Sequence, residues 1–465
     1  MIGMNRRKFL KRRIRENIMI GVACIVLLYL SVSIYFVNHF FFNTVINGVD
    51  VSLKSHREAE KMMRDYAKNY KLKLIERDGE IEEISGRDIQ MHYNEKNSIF
   101  KVYKIQKSFK WIFSLFNKQS YNVSDLYYYD KDSLKDKIHK LRCLNKEIIE
   151  PQNVSFRYSK DTYEVIKEVY GNKIAIDKLS EAIARSILNG ELKLDLNENN
   201  CYINPKYILG SDKVCQAFNE LNKIISAKIV YTFGSKREVL DKDIINKWLS
   251  VDEDLEVVID NKAVKQYVQE LSNKYDTVGT VRSFKSSIGK VVEVKGGFYG
   301  WKINCAYETK ALIENIKNGK GIEKEPIYTQ KALSRDENDI GKTYVEINIT
   351  RQYLWFYKEG NIIVQGSVVT GNPNRGNSTK LGVYMINYKQ KGSTLRGADY
   401  ESEVTYWMPF NGNIGIHDAS WRYSYGGNIY KTNGTHGCVN VSLHMAKKIF
   451  ENIEEGTPVI CYEEA

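Results

Sequence analysis

The sequence predicts a single N-terminal transmembrane helix, then an α+β repeat region, then a mostly β C-terminal domain. Three observations predict this order. Residues 18–37 carry no charged side chain and are long enough to cross a hydrocarbon core of about 30 Å. Residues 43–335 contain a recurring strand–helix pattern, and the residues after about 335 form β-rich runs. A chain of 465 residues has room for two or three domains of this kind.

The N-terminal segment is predicted to be a membrane anchor over residues 17–41. Residues 1–16 form a basic tail with seven Lys or Arg and one Glu, so they carry +6 of the net charge of +12. The apolar run is longer than that of a signal peptide, and it ends in NHFFFN, aromatic residues typical of a membrane interface. The basic flank predicts a cytoplasmic N-terminus, with everything from about residue 43 outside the cell. The remaining charge is mild and predicts no nucleic-acid partner.

The seven cysteines are widely and irregularly spaced, which fits neither a disulfide-dense module nor a CxxC metal knuckle. Six of them lie outside the apolar run. If Cys438 is a free nucleophile, an odd number remains, which argues against complete pairing. Most are therefore expected to be buried thiols that pack as small apolar side chains.

The repeat region is predicted from three similar segments, VDVSLKSHREAEKMM (49–63), IAIDKLSEAIARSI (174–187) and VVIDNKAVKQYVQEL (257–271). Each has a short β-branched run, then Ser or Asp, then apolar residues at helical spacing. Ser55 and Glu58 form a capping-box pattern, and Asp177 and Asp260 are predicted N-caps of the other two helices.

The segment SFKSSIGKVVEVKGGFYGWKI (283–303) is predicted to form strands joined by a glycine-containing turn. Its Tyr299 and Trp301 are of a kind that stacks on sugars, but packing in a core is the favoured interpretation.

The C-terminal region is predicted to be mostly β. In TYVEINITRQYLWFY (343–357), Val345, Ile347 and Ile349 alternate with polar residues, which predicts one buried and one exposed strand face. The runs NIIVQGSVVT (361–370) and GVYMINY (382–388) predict further strands around a loop, and only SLHMAKKIFENI (442–453) has the pattern of a helix.

Two histidines precede a cysteine in this region: His417 in IGIHDASWR, and His436 in THGCVN with Cys438. A thiol is a nucleophile as thiolate, and a neighbouring imidazole can lower its pKa and carry its proton to a leaving amine. Gly437 permits close approach of a carbonyl to the backbone. Two other interpretations exist: a zinc site formed by the same three side chains, and a buried structural cysteine.

The chain resembles the catalytic domain of the L,D-transpeptidases, the YkuD-type family, over roughly residues 343–464. The resemblance rests on His417, a gap of seventeen residues, and T-H-G-C-V-N, which is similar to the family signature [S/T]-H-G-C-x-[N/R]. The segments YVEINITRQYLWFYKEGNIIVQGSVVTGNP and RGADYESEVTYWMPFNGNIGIHDASWR are also similar to the family. Residues 43–335, including YTFGSKREVLDKDIINKWLSVD (231–252), resemble peptidoglycan-binding repeats of clostridial-type members.

The resemblance implies a β-sandwich-like catalytic fold and a role for each motif residue. Cys438 is the implied acylated nucleophile and His417 its proton acceptor and donor. His436 and Gly437 shape the site, and backbone N–H groups near Gly437 and Cys438 are the implied oxyanion donors. The implied substrate-binding positions are Thr435, Asn440, Asp418, Trp421 and Tyr406. No metal and no organic cofactor is implied.

The activity implied is peptidoglycan cross-linking by acyl transfer from tetrapeptide stems with release of D-alanine. The implied products are third-to-third cross-links, with L,D-carboxypeptidase and D-amino-acid exchange as side reactions and carbapenems as inactivators. The implied partners are stem peptides, glycan strands and the membrane.

Two other classes remain open. One is a wall-binding scaffold without turnover, against which the complete His417, His436 and Cys438 set argues. The other is a papain-like cysteine hydrolase, in which the cysteine precedes the histidine, opposite to the order found here.

Overall fold

The computed structural model describes residues 2–97, 99–123, 126–335, 338–397 and 401–464, without the side chains of residues 2–8 and 97. Part of the predicted basic tail, and residues 398–400 of one family-like segment, therefore lie outside the described residues. The chain forms two compact units, residues 1–155 with 166–211, and residues 156–165 with 212–465. The predicted boundary between residues 335 and 343 thus lies inside the second unit.

The chain up to residue 211 begins with a long helix and continues with short strands and helices. Its elements are α1 (Ile2–Tyr35), β1 (Thr44–Ile46), β2 (Val49–Asp50), α2 (His56–Asn69), β3 (Lys71–Ile75), β4 (Ile81–Ser85), β5 (His92–Tyr93), α3 (Phe100–Ile105), α4 (Trp111–Ser114), β6 (Gln119–Tyr121), β7 (Tyr127–Tyr128), α5 (Lys131–His139), α6 (Arg142–Asn145), β8 (Ser155–Ser159), β9 (Thr162–Ile166), α7 (Ile176–Asn189) and β10 (Lys193–Asp195).

Residues 212–335 contain the next set of mixed elements. They are α8 (Asp212–Ile225), β11 (Lys228–Phe233), β12 (Lys236–Leu240), α9 (Lys242–Ile245), β13 (Leu249–Val251), β14 (Val257–Ile259), α10 (Asn261–Tyr275), β15 (Arg282–Lys285), β16 (Val291–Val294), β17 (Lys302–Ile303), α11 (Cys305–Asn318), β18 (Gly321–Lys324) and β19 (Tyr328–Gln330).

The remaining residues are rich in strands. Their elements are β20 (Tyr344–Asn348), β21 (Tyr353–Lys358), β22 (Asn361–Ser367), β23 (Gly382–Met385), β24 (Gln390–Arg396), β25 (Glu401–Asn411), β26 (Ile414–Asp418), α12 (Ile429–Asn433), β27 (Val439–Val441), α13 (Leu443–Asn452) and β28 (Pro458–Tyr462).

Helix α1 is the one candidate membrane span among the described residues. The candidate span runs from Phe9 to Tyr35, its charge-free part begins after Glu16, and it is almost entirely exposed, so by length and composition it can cross a bilayer. The aromatic residues that follow it differ from expectation. Phe40 and Phe41 are buried in the first unit, because they pack with the residues after the helix rather than facing outward.

The two α+β parts of the chain share one arrangement. In the first, β3 pairs antiparallel with β4 and parallel with β10. In the second, β11 pairs antiparallel with β12 and parallel with β18. In each case the helix before the parallel strand ends at a left-handed glycine, Gly190 or Gly319. The repeat architecture predicted from the sequence is therefore present as two copies.

The three segments that suggested the repeats do not occupy equivalent positions in those copies. They form α2 and α7 of the first copy and α10 of the second. Ser55 and Glu58 make the predicted capping box, and the Asp260 carboxylate accepts from the N–H groups of Lys262 and Ala263. Asp177 is not an N-cap, because α7 already begins at Ile176 and Asp177 lies in its first turn.

The C-terminal region consists of two sheets around a shared core, which confirms the predicted mostly β fold. The five-stranded sheet has the order β22-β21-β20-β28-β23 and the four-stranded sheet the order β24-β25-β26-β27. Their apolar faces meet in one cluster that includes Val345, Phe356, Met408 and Val439, and α13 packs into it through Ile449.

The alternation predicted for β20 is confirmed for its apolar residues and wrong for its polar residues. Val345, Ile347 and Ile349 are buried as expected, but Glu346 and Asn348 are also fully buried. Glu346 accepts from the Ser287 N–H at 2.9 Å and from the Tyr462 hydroxyl at 2.7 Å, so the second face is covered by the segment around Ser287. Tyr299 and Trp301 lie in a neighbouring apolar cluster, as the core interpretation predicted.

Candidate active site

The two motifs around His417 and Cys438 are brought together by parallel strand pairing. In the β26–β27 ladder, His417 is opposite Asn440 and Ile416 is opposite Val439. Cys438 immediately precedes β27, so it lies beside Gly415 at the end of this ladder. On the other side of β26, Trp407 pairs with His417. The seventeen-residue gap is the crossover that a parallel pair requires.

The hydrogen bonds of His417 define its tautomer. Nδ1 lies 2.8 Å from the carbonyl oxygen of Asp418, so Nδ1 carries a proton and donates it. Nε2 lies 3.0 Å from Nδ2 of Asn440, and the Asn440 Oδ1 accepts from Arg422 Nε at 2.8 Å. Because arginine only donates, the amide is oriented with its NH₂ toward His417. Nε2 is therefore the unprotonated nitrogen, and its lone pair accepts a hydrogen bond from the Asn440 amide, while the His417 side chain lines the cleft.

Burial lowers the pKa of His417 below its usual 6.5, although the hydrogen bond to the Asp418 carbonyl opposes this. Burial raises the pKa of the Cys438 thiol to about 11, with a weaker opposing effect from the Gly415 backbone. The thiol donates to the Asn413 carbonyl at 3.6 Å. Both groups are thus neutral at pH 7, which differs from the expected lowering of the thiol pKa by the imidazole.

The turn before β27 is held by two threonines. Thr435 Oγ1 accepts from the Gly437 N–H at 3.0 Å and donates to the Cys438 carbonyl at 2.6 Å. Thr379 Oγ1 donates to the Gly437 carbonyl at 2.7 Å. Gly437 has φ +119°, and a Cβ there would meet Ile414 Cδ1 at 2.9 Å, so the position requires glycine.

This turn changes the expected set of oxyanion donors. The Gly437 N–H is occupied by Thr435, so it is not free as the resemblance implied. Among the described residues, nothing accepts a hydrogen bond from the Cys438 N–H. The backbone group available to an oxyanion in this geometry is therefore that of Cys438 itself.

A cleft of about 180 Å³ opens over these groups. Ten residues line this cleft. Six of them were predicted from the sequence, and four were not. The predicted ones are His417, Trp421, Thr435, His436, Cys438 and Asn440, and the added ones are Leu395, Ser402, Arg422 and Gly434. In the part of the chain that is described, Arg422 forms no salt bridge with a carboxylate.

Two predicted substrate-binding residues do not line the cleft. The Asp418 carboxylate is buried and accepts from the backbone N–H groups of Thr405 and Tyr406 at 2.7 to 3.1 Å. It follows His417 in a strand, so its side chain points to the opposite face. Tyr406 is buried in the core, with its ring 5.1 Å from that of Phe450.

The zinc alternative finds no support in the geometry. Within the described ranges, the only group of three or more metal-ligating side chains whose ligand atoms all lie within 4.8 Å of one another is Glu76, Asp78 and Glu80 of the first unit. Two of these three carboxylates, Glu76 and Asp78, form ion pairs with Lys146.

Comparison with known proteins matches both parts of the chain. Residues 342–461 match the model of the family described as "L,D-transpeptidase catalytic domain". Residues 82–195 and 214–323 match that described as "Putative peptidoglycan binding domain", one match in each structural repeat.

One similar solved structure is the crystal structure of a cysteine-to-serine mutant of the Enterococcus faecium L,D-transpeptidase. The two sequences are 33% identical, and the match covers 100% of that protein chain and 54% of this one. The chain belongs to the L,D-transpeptidase family. The TM-score of that pair is 0.46. The ertapenem-acylated catalytic domain from E. faecium is 38% identical, with 98% of it and 26% of this chain covered and a TM-score of 0.25.

A more distant relative is the Bacillus subtilis protein named "Putative L,D-transpeptidase YciB". It is 22% identical over 169 residues, which span 34% of this chain and 86% of that protein. As a member of the L,D-transpeptidase family, this protein is an acyltransferase with a cysteine nucleophile that acts in peptidoglycan cross-linking.

Proposed function

We propose that this L,D-transpeptidase is a single-pass membrane protein that makes third-to-third peptidoglycan cross-links with Cys438 as nucleophile and His417 as base. The observation that carries the proposal is the His417 tautomer. The unprotonated Nε2 accepts a hydrogen bond from Asn440, which Arg422 holds in turn, and His417 and Cys438 line the same cleft. Since the thiol is protonated at neutral pH, the imidazole acts as a general base during attack rather than in a preformed ion pair.

In the acylation step, the Asn440 amide releases Nε2 of His417, and the Cys438 thiol turns from the Asn413 carbonyl and gives its proton to that nitrogen. The sulfur forms a bond to the carbonyl carbon of the third stem residue. The oxyanion is stabilised by the Cys438 N–H. The bond to D-alanine then breaks, and the imidazolium delivers its proton to the leaving amine. The product is a thioester and free D-alanine.

In the second step an amine, the side chain of the third residue of a neighbouring stem, attacks the thioester. His417 accepts the amine proton and returns it to the Cys438 sulfur as the new amide forms. Water in place of the amine gives L,D-carboxypeptidase activity, and a free D-amino acid gives exchange. Neither step needs a metal or a cofactor.

The rim of the cleft supplies candidate groups for the stem peptide. Arg422 Nε is used by Asn440, and its two Nη groups are suited to a carboxylate of the donor stem. The exposed Trp421 and His436 flank the same opening, and Leu395 adds an apolar contact.

The rest of the chain places the enzyme at its substrate. In the proposed organisation, residues 1–16 are a cytoplasmic tail, 17–41 a transmembrane anchor, 43–335 the peptidoglycan-binding-like α+β repeats and 343–464 the catalytic domain. The catalytic domain then lies on the wall side of the membrane. The apolar exposed surface of α1 and the peptidoglycan-binding matches in both repeats support this organisation.

The test is mass spectrometry of disaccharide-tetrapeptide incubated with the detergent-solubilised full chain. Wild type is expected to produce a dimer lighter by one alanine, and Cys438→Ala none. Cys215→Ala, which removes an exposed cysteine outside the site, is the matched control and keeps the product. Tripeptide without dimer would replace the cross-linking proposal by a carboxypeptidase. Dimer formation by Cys438→Ala would exclude Cys438 as nucleophile.

A further inference from the structure

Residues 105–116 of the first unit present an apolar stripe outward. Phe109, Phe113 and Phe116 are 59%, 63% and 84% exposed, and Ile105 and Ile112 are also exposed. The backbone is helical from Ser108 to Ser114, and within this stretch Phe109, Ile112 and Phe113 are spaced three or four residues apart on the exposed side. A water-exposed surface seldom carries five large apolar side chains side by side.

The opposite face of this segment is fastened to α1. Trp111 Nε1 donates to Ser33 Oγ at 3.2 Å, and its ring lies 5.7 Å from that of Tyr29 and 6.1 Å from that of Phe36. The Tyr29 hydroxyl donates to the carbonyl of Phe109. The stripe therefore has a fixed position along the long apolar helix.

The position of the stripe along α1 defines how deep the stripe would lie in a membrane that α1 spans. Tyr29 precedes the end of α1 at Tyr35 by six residues, which at 1.5 Å rise is about 9 Å along the axis. Tyr29 lies within the candidate span Phe9–Tyr35, so the Phe109 backbone is level with a residue of the span and not beyond it. Interfacial helices lie at this level, about 5–10 Å into the boundary between headgroups and acyl chains.

The charges of the segment fit the same surroundings. Lys104, Lys107, Lys110 and Lys118 are exposed, and the sequence from 100 to 118 contains no Asp or Glu. Lysine stems can lie along acyl chains while the ammonium groups reach phosphates. Aromatic and aliphatic side chains on one face with lysines beside them are typical of helices that lie in an anionic lipid surface.

We propose that residues 105–118 insert into the outer leaflet beside the anchor, with Phe109, Phe113 and Phe116 in the acyl boundary and the flanking lysines on anionic phosphates. The first unit then has two membrane contacts, a spanning helix and an interfacial one. This inference rests on the proposed function in one respect, that α1 spans the membrane.

The test is photocrosslinking of the full chain in vesicles of phosphatidylethanolamine and phosphatidylglycerol. p-Benzoylphenylalanine replaces Phe113 or Phe116 in the test proteins and Tyr128, an exposed aromatic of the same unit, in the control. Irradiation is expected to add the mass of one lipid at positions 113 and 116, at least tenfold more than at 128. A cross-linked dimer of two chains, or lipid adducts no greater than at 128, would overturn the inference.

Flotation of the same vesicles separates the two claims. A chain that does not float with lipid contradicts the membrane anchor of the proposed function. A chain that floats but gives no lipid adduct at 113 or 116 contradicts only the interfacial insertion.

A pair of outward-facing substitutions provides an independent check. Phe113→Ser with Phe116→Ser removes exposed side chains, so thermal unfolding in detergent is expected to be unchanged. In vesicles, wild type is expected to protect the amides of residues 105–116 from hydrogen exchange at least tenfold more than the variant does. Equal protection in the two proteins would overturn the proposal.

Discussion

Two polar clusters in the second unit each contain an arginine and differ in how their hydrogen-bonding groups are satisfied. The support cluster consists of Arg282 and Asp339 together with Glu346, Ser287 and Tyr462. Arg282 Nη2 donates to the Thr277 and Tyr299 carbonyls and to the Asp339 carboxylate at 2.7 to 3.2 Å. The active-site cluster is His417, Asn440, Arg422 and Cys438.

In the support cluster, the charged groups bond to partners from the protein itself, although the Nε of Arg282 is buried without a hydrogen-bond partner among the described residues. In the active-site cluster, Cys438 and Arg422 line a cleft, and in the described chain nothing accepts from the Cys438 N–H and no carboxylate pairs with Arg422. The comparison teaches that burial of polar groups alone does not mark a catalytic site. Polar groups that keep unused hydrogen-bonding capacity beside a cleft indicate a reactive site, whereas polar groups that are bonded within the protein indicate a structural role. Variants in the active-site cluster should therefore change activity, and variants in the support cluster should change stability.

The largest effect is expected from the base. His417→Gln removes a proton acceptor that no neighbour replaces, so kcat for cross-linking should fall about 10²–10⁴-fold. Thermal unfolding should change little, because glutamine retains hydrogen-bonding groups. His444→Gln, at an exposed histidine on α13, is the control and should keep full activity. Wild-type turnover by the His417 variant would exclude it as the base.

The support cluster should respond in stability. Arg282→Ala leaves the Asp339 carboxylate buried without its partner, so the free energy of unfolding should fall by about 3–5 kcal/mol. Urea unfolding of the full chain in detergent measures this. Arg237→Ala, which breaks an exposed pair with Glu323, should cost no more than about 1 kcal/mol. Folded Arg282→Ala molecules should still cross-link. If they do not, the two clusters are not independent.

The pH dependence of thiol alkylation should reveal the protonation state of the site. With a pKa of about 11 for Cys438, the thiolate fraction rises tenfold per pH unit, so iodoacetamide should label it about a hundredfold faster at pH 9 than at pH 7. Peptide mapping separates Cys438 from the other cysteines. A rate that is already constant below pH 8 would instead indicate a preformed thiolate–imidazolium pair.

A smaller effect is expected from the residue that orients Asn440. Arg422→Met removes the donor to Asn440 Oδ1, so the amide is free to turn its oxygen toward His417 and hold the wrong tautomer. Loss of one such bond, about 1.4 kcal/mol, should lower kcat/KM about tenfold. The acid limb of the pH profile should shift as well. An unchanged profile would contradict the role of Arg422 in orienting Asn440.

The sequence predicted the motif residues of the candidate site better than it predicted the residues around them. The resemblance of the His417 and T-H-G-C motifs to the family pointed to the pair that β26 and β27 bring together, whereas the parallel register of these strands is seen only in the structure. Asp418 was predicted at the site through its position next to His417. Strand alternation, which turns adjacent side chains to opposite faces, excludes it.

Arg422 escaped prediction for a different physical reason. It lies in an irregular turn after β26, where neither helical nor strand periodicity says which way a side chain points. Its contact with Asn440 joins positions eighteen residues apart. Likewise, the alternation in β20 could not reveal that Glu346 is buried, since the covering segment around Ser287 lies some sixty residues earlier in the chain.

The most direct test of the account is to find which atom carries the acyl group. The full chain is incubated with ertapenem or with tetrapeptide donor, quenched in acid, digested and mapped by mass spectrometry. The account predicts one adduct, on the peptide containing Cys438, and none on Cys143, Cys201, Cys215, Cys305 or Cys461. An adduct on another residue, or cross-linking activity without any adduct at Cys438, would contradict it.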